Sequence, residues 1–104
     1  MFIGLETSAE VRDSMRQAAR QRRLLLGWSQ ADLAARSGVS LGSLKRFETS
    51  GEISLTSLLA IAEAMAVLEG FLSLFPMPEP RNLSEIERQA HVPQRAGRKP
   101  GSAR

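Results

Sequence analysis

The sequence predicts an all-α fold, with five short helices in residues 1 to 75 and a flexible tail from 76 to 104. Three serines stand where helices can begin, because a serine hydroxyl accepts a hydrogen bond from the free amides of a first helical turn. Each is bracketed by the apolar pair of a hydrophobic staple. The three sets are Ser29 with Trp28 and Leu33, Ser40 with Val39 and Leu44, and Ser54 with Ile53 and Leu58. A hydrophobic content of 42% suits one small helical core.

A first helix is expected to begin at Thr7 and to end near Gly27. Thr7 and Glu10 have the spacing of a capping box, in which each side chain bonds the other residue's backbone amide. Apolar residues then recur on one face of the helix. Arg12, Arg16 and Arg20 follow each other at four-residue spacing and form a basic stripe on a second face. This stripe is either a solvated surface or a contact for a phosphate backbone, and Arg12 is the best phosphate candidate.

The next two helices are expected from about Gln30 to Ser37 and from about Leu41 to Glu48, with residues 49 to 51 as a loop. Gly38 lies between them and suits a left-handed turn. Two helices joined by so short a turn must cross steeply and leave one face of the second exposed. Residues 29 to 48 are therefore predicted to form a helix-turn-helix.

The fourth helix, from about Leu55 to Met65, is apolar enough to form the centre of the core. A short fifth helix is expected at about 68 to 75, and it carries more apolar surface than a small core can bury. Its exposed side is a candidate dimer interface. The candidate interface residues are Leu68, Phe71, Leu72 and Phe75.

Prolines at alternate positions after Phe75 mark the start of the tail, because they cannot continue a helix. Leu83 to Ala90 could form two helical turns capped by Ser84, with Glu87 at the third position. Residues 94 to 104 hold four basic residues, two glycines, one proline and no acidic residue, so we expect them to be disordered until they bind a partner.

The composition excludes several classes of function. There is no cysteine and only one histidine, His91, in the tail, so we expect no metal site, no cofactor and no enzyme activity. No long apolar run or signal peptide is present, so a cytoplasmic protein without a membrane span is expected. Residues 1 to 75 hold eight basic and eight acidic residues, whereas the tail holds six and three and carries the whole net charge of +3. The tail could therefore add a phosphate attraction that is independent of sequence.

Helical geometry places Gly42 and Arg46 on the outward face of the third helix, flanked by Ser43 and Lys45. Small residues at its start would let this helix enter a major groove, where arginine and lysine can donate to guanine or to phosphate. Leu41, at the edge, could contact a thymine methyl, and Ser40 caps the helix. These residues could also be ordinary solvated surface.

Two further positions are candidates for contacts with the DNA backbone. Gln30 follows the Ser29 cap, at a helix start whose free amides and positive dipole end attract phosphate. It is otherwise a surface glutamine. The amides of the loop from Thr49 to Gly51, around Ser50, could hold another phosphate.

Glu48 falls on the inward side of the third helix and needs a cationic partner there, because an unpaired buried carboxylate is costly. Arg23, on the inward edge of the first helix, is the predicted partner. The two residues form a candidate structural ion pair.

These motifs closely resemble the Cro/C1-type helix-turn-helix family, also called the XRE family. The matching residues are Ser29-Gln30, Leu33-Ala34, Gly38-Val39-Ser40, Leu44, Glu48, and Leu58 through Ala62-Glu63-Ala64. The resemblance implies a five-helix, lambda-repressor-like domain that binds a palindromic operator in double-stranded DNA as a homodimer. It also implies an ion pair of the Arg23–Glu48 type and a phosphate contact of the Gln30 type. Leu41 and Gly42 depart from the polar base-reading residues of many relatives.

The short chain, the blocks at residues 40 to 48 and 51 to 55, and the basic tail are further similar to HipB-type antitoxins, which repress their own operator and bind a HipA-type kinase toxin. The expected function is therefore a dimeric transcriptional repressor, and a toxin–antitoxin role is its narrower form. The alternative is a protein–protein adaptor that does not bind DNA and uses the fifth helix and the tail.

Overall fold

The computed structural model describes residues 7 to 76, 79 and 81 to 92, and these residues form helices without any strand. The helices are α1 (Ser8–Leu25), α2 (Gln30–Ser37), α3 (Leu41–Ser50), α4 (Leu55–Ala64), a 3₁₀ helix (Leu68–Ser73) and α5 (Leu83–Ala90). The chain divides into two compact units at Leu74 and Phe75. The first unit holds α1 to α4 and the 3₁₀ helix, and the second holds α5. The predicted all-α fold class is confirmed.

Side-chain caps fix the helix starts of the first unit. Thr7 and Glu10 form the predicted capping box, in which the Glu10 amide donates to Thr7 Oγ1 at 3.1 Å and the Thr7 amide donates to Glu10 Oε1 at 2.9 Å. Ser29 and Asp32 form a second box of the same kind. Ser40 and Ser54 each accept a hydrogen bond from the amide three residues further on. The local sequence therefore sets where each of these helices begins.

The core lies between α2, α3 and α4, with α1 packed against α3. Its buried side chains are Leu33, Val39, Leu44, Phe47, Ile61, Ala62 and Met65. The other staple residues, Trp28, Ile53 and Leu58, pack against this core as partly buried side chains. The residues that fix the helix starts thus also build the core.

Arginines of α1 bind the carboxyl-terminal ends of two other helices. Arg16 Nη1 donates to the carbonyl oxygen of Glu48 at 3.0 Å, and Arg22 Nε donates to that of Met65 at 3.0 Å. The last carbonyls of a helix lack partners within the helix, and they carry the negative end of its dipole. These contacts hold α1 against the ends of α3 and α4.

Two predicted boundaries in the first unit are wrong. α3 continues through Thr49 to Ser50 and ends at the left-handed Gly51, whose φ is +82°. The fifth helix is a 3₁₀ helix that stops at Ser73 rather than an α-helix reaching Phe75. It contains Gly70 and has no side-chain cap at Val67, so little in its local sequence favours a regular α-helix.

The second unit holds an ordered helix within the predicted tail. Asn82 caps α5 by accepting from the Glu85 amide at 2.9 Å, so the prediction of Ser84 as the cap is wrong. Arg81 donates to the Glu85 carboxylate from its backbone amide and its guanidinium. The helix itself has the bounds that the sequence predicts, Leu83 to Ala90. The expectation for residues 94 to 104 lies outside the described residues.

Candidate nucleic-acid interface

The helix-turn-helix consists of α2, a turn at Gly38 and α3. Gly38 has a φ of +78°, and its amide donates to the Ala34 carbonyl at 2.9 Å, so the turn closes α2 directly before the Ser40 cap. Leu44, Phe47 and Glu48 bury one side of α3. The opposite side of α3 is exposed. This exposed side is called the outer face below.

The amino-terminal half of the outer face carries small side chains. Ser40 Oγ accepts from the Ser43 amide and donates to Ser43 Oγ at 2.8 Å, so both hydroxyls lie at the helix start. A Cβ atom built on Gly42 would meet nothing within 4 Å. Leu41, at the first position of α3, is 38% exposed. Apart from Leu41, this half therefore offers little bulk to an approaching surface.

The carboxyl-terminal half of the outer face carries the cations. Lys45 and Arg46 are both exposed. Arg46 Nη2 lies 3.0 Å from Glu52 Oε1, and the two side chains remain 71% and 58% exposed. Arg46 and Glu52 line an open hollow of about 310 Å³ together with Ser43, Ile53, Ser54 and Ser57. This space is called the Arg46 hollow below.

Two residues of this surface differ from the prediction: Thr49 is predicted to lie in a loop, and Glu52 is not predicted at all. With α3 extending to Ser50, helical spacing places Thr49 on the outer face beside Gly42 and Arg46. The Thr49 hydroxyl donates to the Lys45 carbonyl at 2.9 Å. Gly51 is the signal that could have revealed this, because a glycine directly after a helix marks its left-handed end. Nothing in the helical pattern of α3 points to Glu52.

Ser50 lies at the end of α3, and its hydroxyl is used within the protein. Ser50 Oγ donates to the Arg46 carbonyl at 2.8 Å and accepts from the Glu52 amide at 3.2 Å. It therefore links the last turn of α3 to the residue after Gly51. The amides of Thr49 and Ser50 belong to α3 instead of a loop, and the Gly51 amide donates to the Phe47 carbonyl at 2.7 Å.

Gln30, the predicted phosphate contact at the start of α2, is half-buried. Its side-chain amide Nε2 donates to Glu48 Oε1 at 2.9 Å. An amide nitrogen has two hydrogens, so one Nε2 hydrogen and the backbone amide remain for other acceptors. The hydrogen bond to Glu48 of α3 thus fixes the orientation of the Gln30 side chain.

Arg23 and Glu48 form a buried, bidentate ion pair beneath α3. Arg23 Nε lies 2.7 Å from Glu48 Oε2, and Arg23 Nη2 lies 2.9 Å from Glu48 Oε1, with each residue only 6% exposed. Arg23 Nη1 also donates to the Trp28 carbonyl at 2.8 Å. The pair therefore ties α1 and the approach to α2 to the inward side of α3.

The same pair shifts two pKa values. Burial alone raises the pKa of the Glu48 carboxyl, but hydrogen bonds from Arg23 and Gln30, with the charges of Arg23 and Arg20, outweigh it and hold that pKa below its ordinary value. The hydrogen bond to Glu48 raises the pKa of Arg23. Both groups are thus held in their charged forms.

Arg12 lies beside the carboxyl-terminal end of α3. A Cβ atom built on Gly51 would lie 2.5 Å from Arg12 Cγ, so the aliphatic part of Arg12 covers the buried Gly51. Arg12 itself is exposed. The structure therefore brings this predicted phosphate contact next to the end of the outer face.

Three of the predicted dimer residues lie on the 3₁₀ helix, and the fourth, Phe75, follows that helix in the chain. Leu68 is 38% exposed and Leu72 is 85% exposed, and both line an open apolar hollow of about 730 Å³ with Phe71, which is partly buried. Phe75 is 90% exposed and belongs to the second unit. Leu68, Phe71 and Leu72 are thus brought together.

A short turn between two helices and an exposed face on the second define a helix-turn-helix, the motif by which many proteins place a helix in the major groove of DNA. Residues 20 to 71 match the family model described as helix-turn-helix. The chain belongs to this family, of the Cro/C1 or XRE type, whose members are DNA-binding transcription regulators. A search of curated proteins and a search of solved structures return no match. None of the described helices has both the length and the apolar character needed to cross a membrane.

Proposed function

We propose that this protein is a sequence-specific transcriptional repressor that binds a palindromic operator as a homodimer. The observation that carries the proposal is the outer face of α3, where Gly42 and Arg46 are exposed on a helix whose other side is locked by the buried Arg23–Glu48 pair. A rigid helix with small residues at its start and a cation near its end suits entry into a major groove.

In this proposal α3 supplies the contacts to bases. Arg46 donates to a guanine edge, while Lys45 contacts a base or a phosphate. Ser40 and Ser43 offer hydroxyls at the start of the helix, and Leu41 offers an apolar contact to a thymine methyl. Gly42 allows the backbone to approach closely, because it has no side chain.

The phosphate contacts come from positions around α3. Gln30 offers the backbone amide at a helix start and the free hydrogen of its side-chain amide, held in place by Glu48. Arg12 offers an exposed guanidinium beside Gly51, directly after Ser50 at the end of α3. Such contacts set the position of the protein on the duplex, while base contacts set its sequence preference. Residues 1 to 75 would form the DNA-binding domain, and the basic tail from 76 would add attraction to phosphate.

Selection from a randomised duplex library with the full chain tests this function. We expect the enriched sequences to share a palindrome whose half-sites lie about one helical turn, roughly 34 Å, apart. Mobility shifts with the enriched duplex and a scrambled duplex of equal length give the affinities. A library from which no preferred sequence emerges would contradict sequence-specific binding.

The homodimer is proposed to form through the apolar surface of the 3₁₀ helix, at Leu68, Phe71 and Leu72, with Phe75 beyond it. Leu72→Glu tests this surface, and Leu25→Glu is its matched control on α1, because the two leucines are 85% and 86% exposed. Sedimentation should show a weaker dimer for Leu72→Glu alone. If Leu72→Glu and Leu25→Glu weaken the dimer equally, the dimer does not form through the surface of the 3₁₀ helix.

The narrower proposal is an antitoxin that represses its own operator and binds a HipA-type kinase toxin in the cytoplasm. It is supported by the sequence similarity at residues 40 to 48, at residues 51 to 55 and in the tail. Co-expression with a kinase encoded beside the gene, followed by co-purification, tests it.

The adaptor alternative predicts that the protein binds a partner protein but no DNA duplex. The exposed Lys45 and Arg46 favour DNA binding over this alternative.

A further inference from the structure

Glu52 is an acidic residue on the surface proposed to face DNA. Its Oε1 atom accepts from Arg46 Nη2 at 3.0 Å at the edge of the Arg46 hollow. Both side chains are largely exposed, so the contact adds little to fold stability. A carboxylate at this place also repels the phosphates of a duplex. Its position therefore suggests a function other than stability.

The backbone at Glu52 is held on both sides. Before it, Gly51 is buried beneath the Arg12 side chain, and after it, Ile53 packs against the core. Ser50 Oγ bonds both the Glu52 amide and the Arg46 carbonyl. The two side chains of the ion pair thus start from fixed points.

The pair changes what Arg46 can offer to DNA. Attraction to phosphate depends on net charge, and Glu52 cancels the charge of Arg46 locally. Hydrogen bonds to a base edge depend on directed donors, and a guanidinium has five N–H groups, of which this contact uses one. Glu52 therefore weakens the contribution of Arg46 to non-specific binding while it leaves donors for a base.

We propose that Glu52 is a specificity-determining residue that directs Arg46 toward a base edge and away from the phosphate backbone. This proposal rests on the proposed function, because it requires a preferred duplex. Arg46 makes the base contact, and Glu52 acts through Arg46 as a positioning residue.

The test compares the full-length wild type with Glu52→Gln, Arg46→Ala and the double variant. Glu87→Gln is the matched control, because it removes the same charge from an exposed position in α5 of the second unit. Fluorescence anisotropy gives the dissociation constant for the duplex selected by the wild type, for a scrambled duplex, and for a set with each base pair substituted in turn. Thermal melting checks that every variant is folded.

Glu52→Gln should bind the scrambled duplex more tightly, and its ratio of scrambled to selected dissociation constants should fall at least about fivefold, the low end of what one good base contact provides. The base pair at which discrimination is lost should be the one affected by Arg46→Ala. In the Arg46→Ala background, Glu52→Gln should leave the ratio unchanged. The single variant Glu87→Gln should have the same ratio of scrambled to selected dissociation constants as the wild type.

An unchanged ratio in Glu52→Gln would overturn the role of Glu52 alone, with the proposed function intact. Loss of discrimination at a different base pair would also overturn it, since Glu52 would then contact a base itself. If Glu52→Gln changes the ratio equally in the Arg46→Ala background, Glu52 acts only by repelling phosphate and not through Arg46, which would also overturn the proposal. A wild type that selects no preferred duplex would overturn the proposed function and this inference together.

Discussion

Arg23→Ala removes the cation of the buried ion pair and leaves Glu48 with a much weaker set of partners. Removing one member of a buried pair costs about 3–5 kcal/mol, because the other charge stays buried without compensation. Glu48 would keep the Gln30 donor and the nearby charge of Arg20, so we expect the low end, about 3 kcal/mol. For a domain of this size that corresponds to a fall in melting temperature of roughly 12–24 °C.

Thermal and urea unfolding followed by circular dichroism measure this cost. Arg20→Ala is the matched control, since it removes an exposed arginine of the same helix that affects Glu48 only through its charge; we expect it to cost less than about 1 kcal/mol. Replacing both partners with apolar residues, Arg23→Met with Glu48→Leu, should recover much of the loss. An Arg23→Ala variant that melts at the wild-type temperature would refute the role given to the pair.

The cost should also depend on pH. Without Arg23, burial should raise the pKa of Glu48 in the folded state above its value in the unfolded chain. The cost of burying the ionised carboxylate is then complete above the raised pKa, and it disappears as the pH falls below the pKa of the unfolded chain. The difference in unfolding free energy between wild type and Arg23→Ala should therefore narrow in acid. A difference that is constant between pH 3 and pH 8, roughly the range in which carboxyl groups titrate, would contradict this assignment.

Three further predictions concern glycines and acid stability. Gly51→Ala should destabilise the fold more than Gly38→Ala, although both have a φ near +80°, because only the new methyl at Gly51 meets Arg12; equal melting temperatures would contradict this packing. Gly42→Ala should raise the free energy of unfolding by up to about 1 kcal/mol and yet weaken binding to the selected duplex. If stability and affinity rise together or fall together, the backbone at Gly42 does not approach the duplex closely. In the wild type, the pKa of Glu48 is lower in the folded than in the unfolded state, so its ionised carboxylate stabilises the fold. This stabilisation is complete above the ordinary carboxyl pKa of 4.5 and is lost as the pH falls through the lower folded-state pKa. Urea midpoints should therefore drop as the pH falls from 4.5 through the folded-state pKa.

Much of the first unit can be predicted from the sequence because its helix starts depend on local interactions. Ser29, Ser40 and Ser54 each bond an amide three residues away, which a spacing pattern can indicate. Helix ends depend on weaker signals. The end of α3 at Gly51 follows the same rule as the end of α2 at Gly38, although the helical pattern of α3 alone predicts an end at Glu48.

The second unit shows how two equivalent local patterns can mislead. Asn82 with Glu85 and Ser84 with Glu87 both have the spacing of a cap and its third residue. The structure uses Asn82, and the Glu85 carboxylate then accepts from the Arg81 backbone and side chain. The additional contact of Arg81 distinguishes the two starts, and it is outside the capping pattern itself.

The candidate site was predictable where helical periodicity determines which face is exposed. Gly42 and Arg46 follow from the period of α3 alone. Contacts between elements do not follow from periodicity, so the bond from Gln30 to Glu48 and the pairing of Arg46 with Glu52 emerge only in three dimensions. Arg23 and Glu48 are an exception, because a buried charge requires a partner and the inward faces of two helices offered one.

The most direct test of DNA recognition by α3 is the effect of Arg46→Ala on two dissociation constants, one for the selected duplex and one for its scrambled counterpart. If Arg46 contacts a base, the variant should lose roughly 5- to 150-fold in affinity for the selected duplex, with a much smaller loss for the scrambled one and an unchanged melting temperature. An equal loss on both duplexes would place Arg46 on the phosphate backbone. Undiminished binding to the selected duplex would contradict recognition through the outer face of α3.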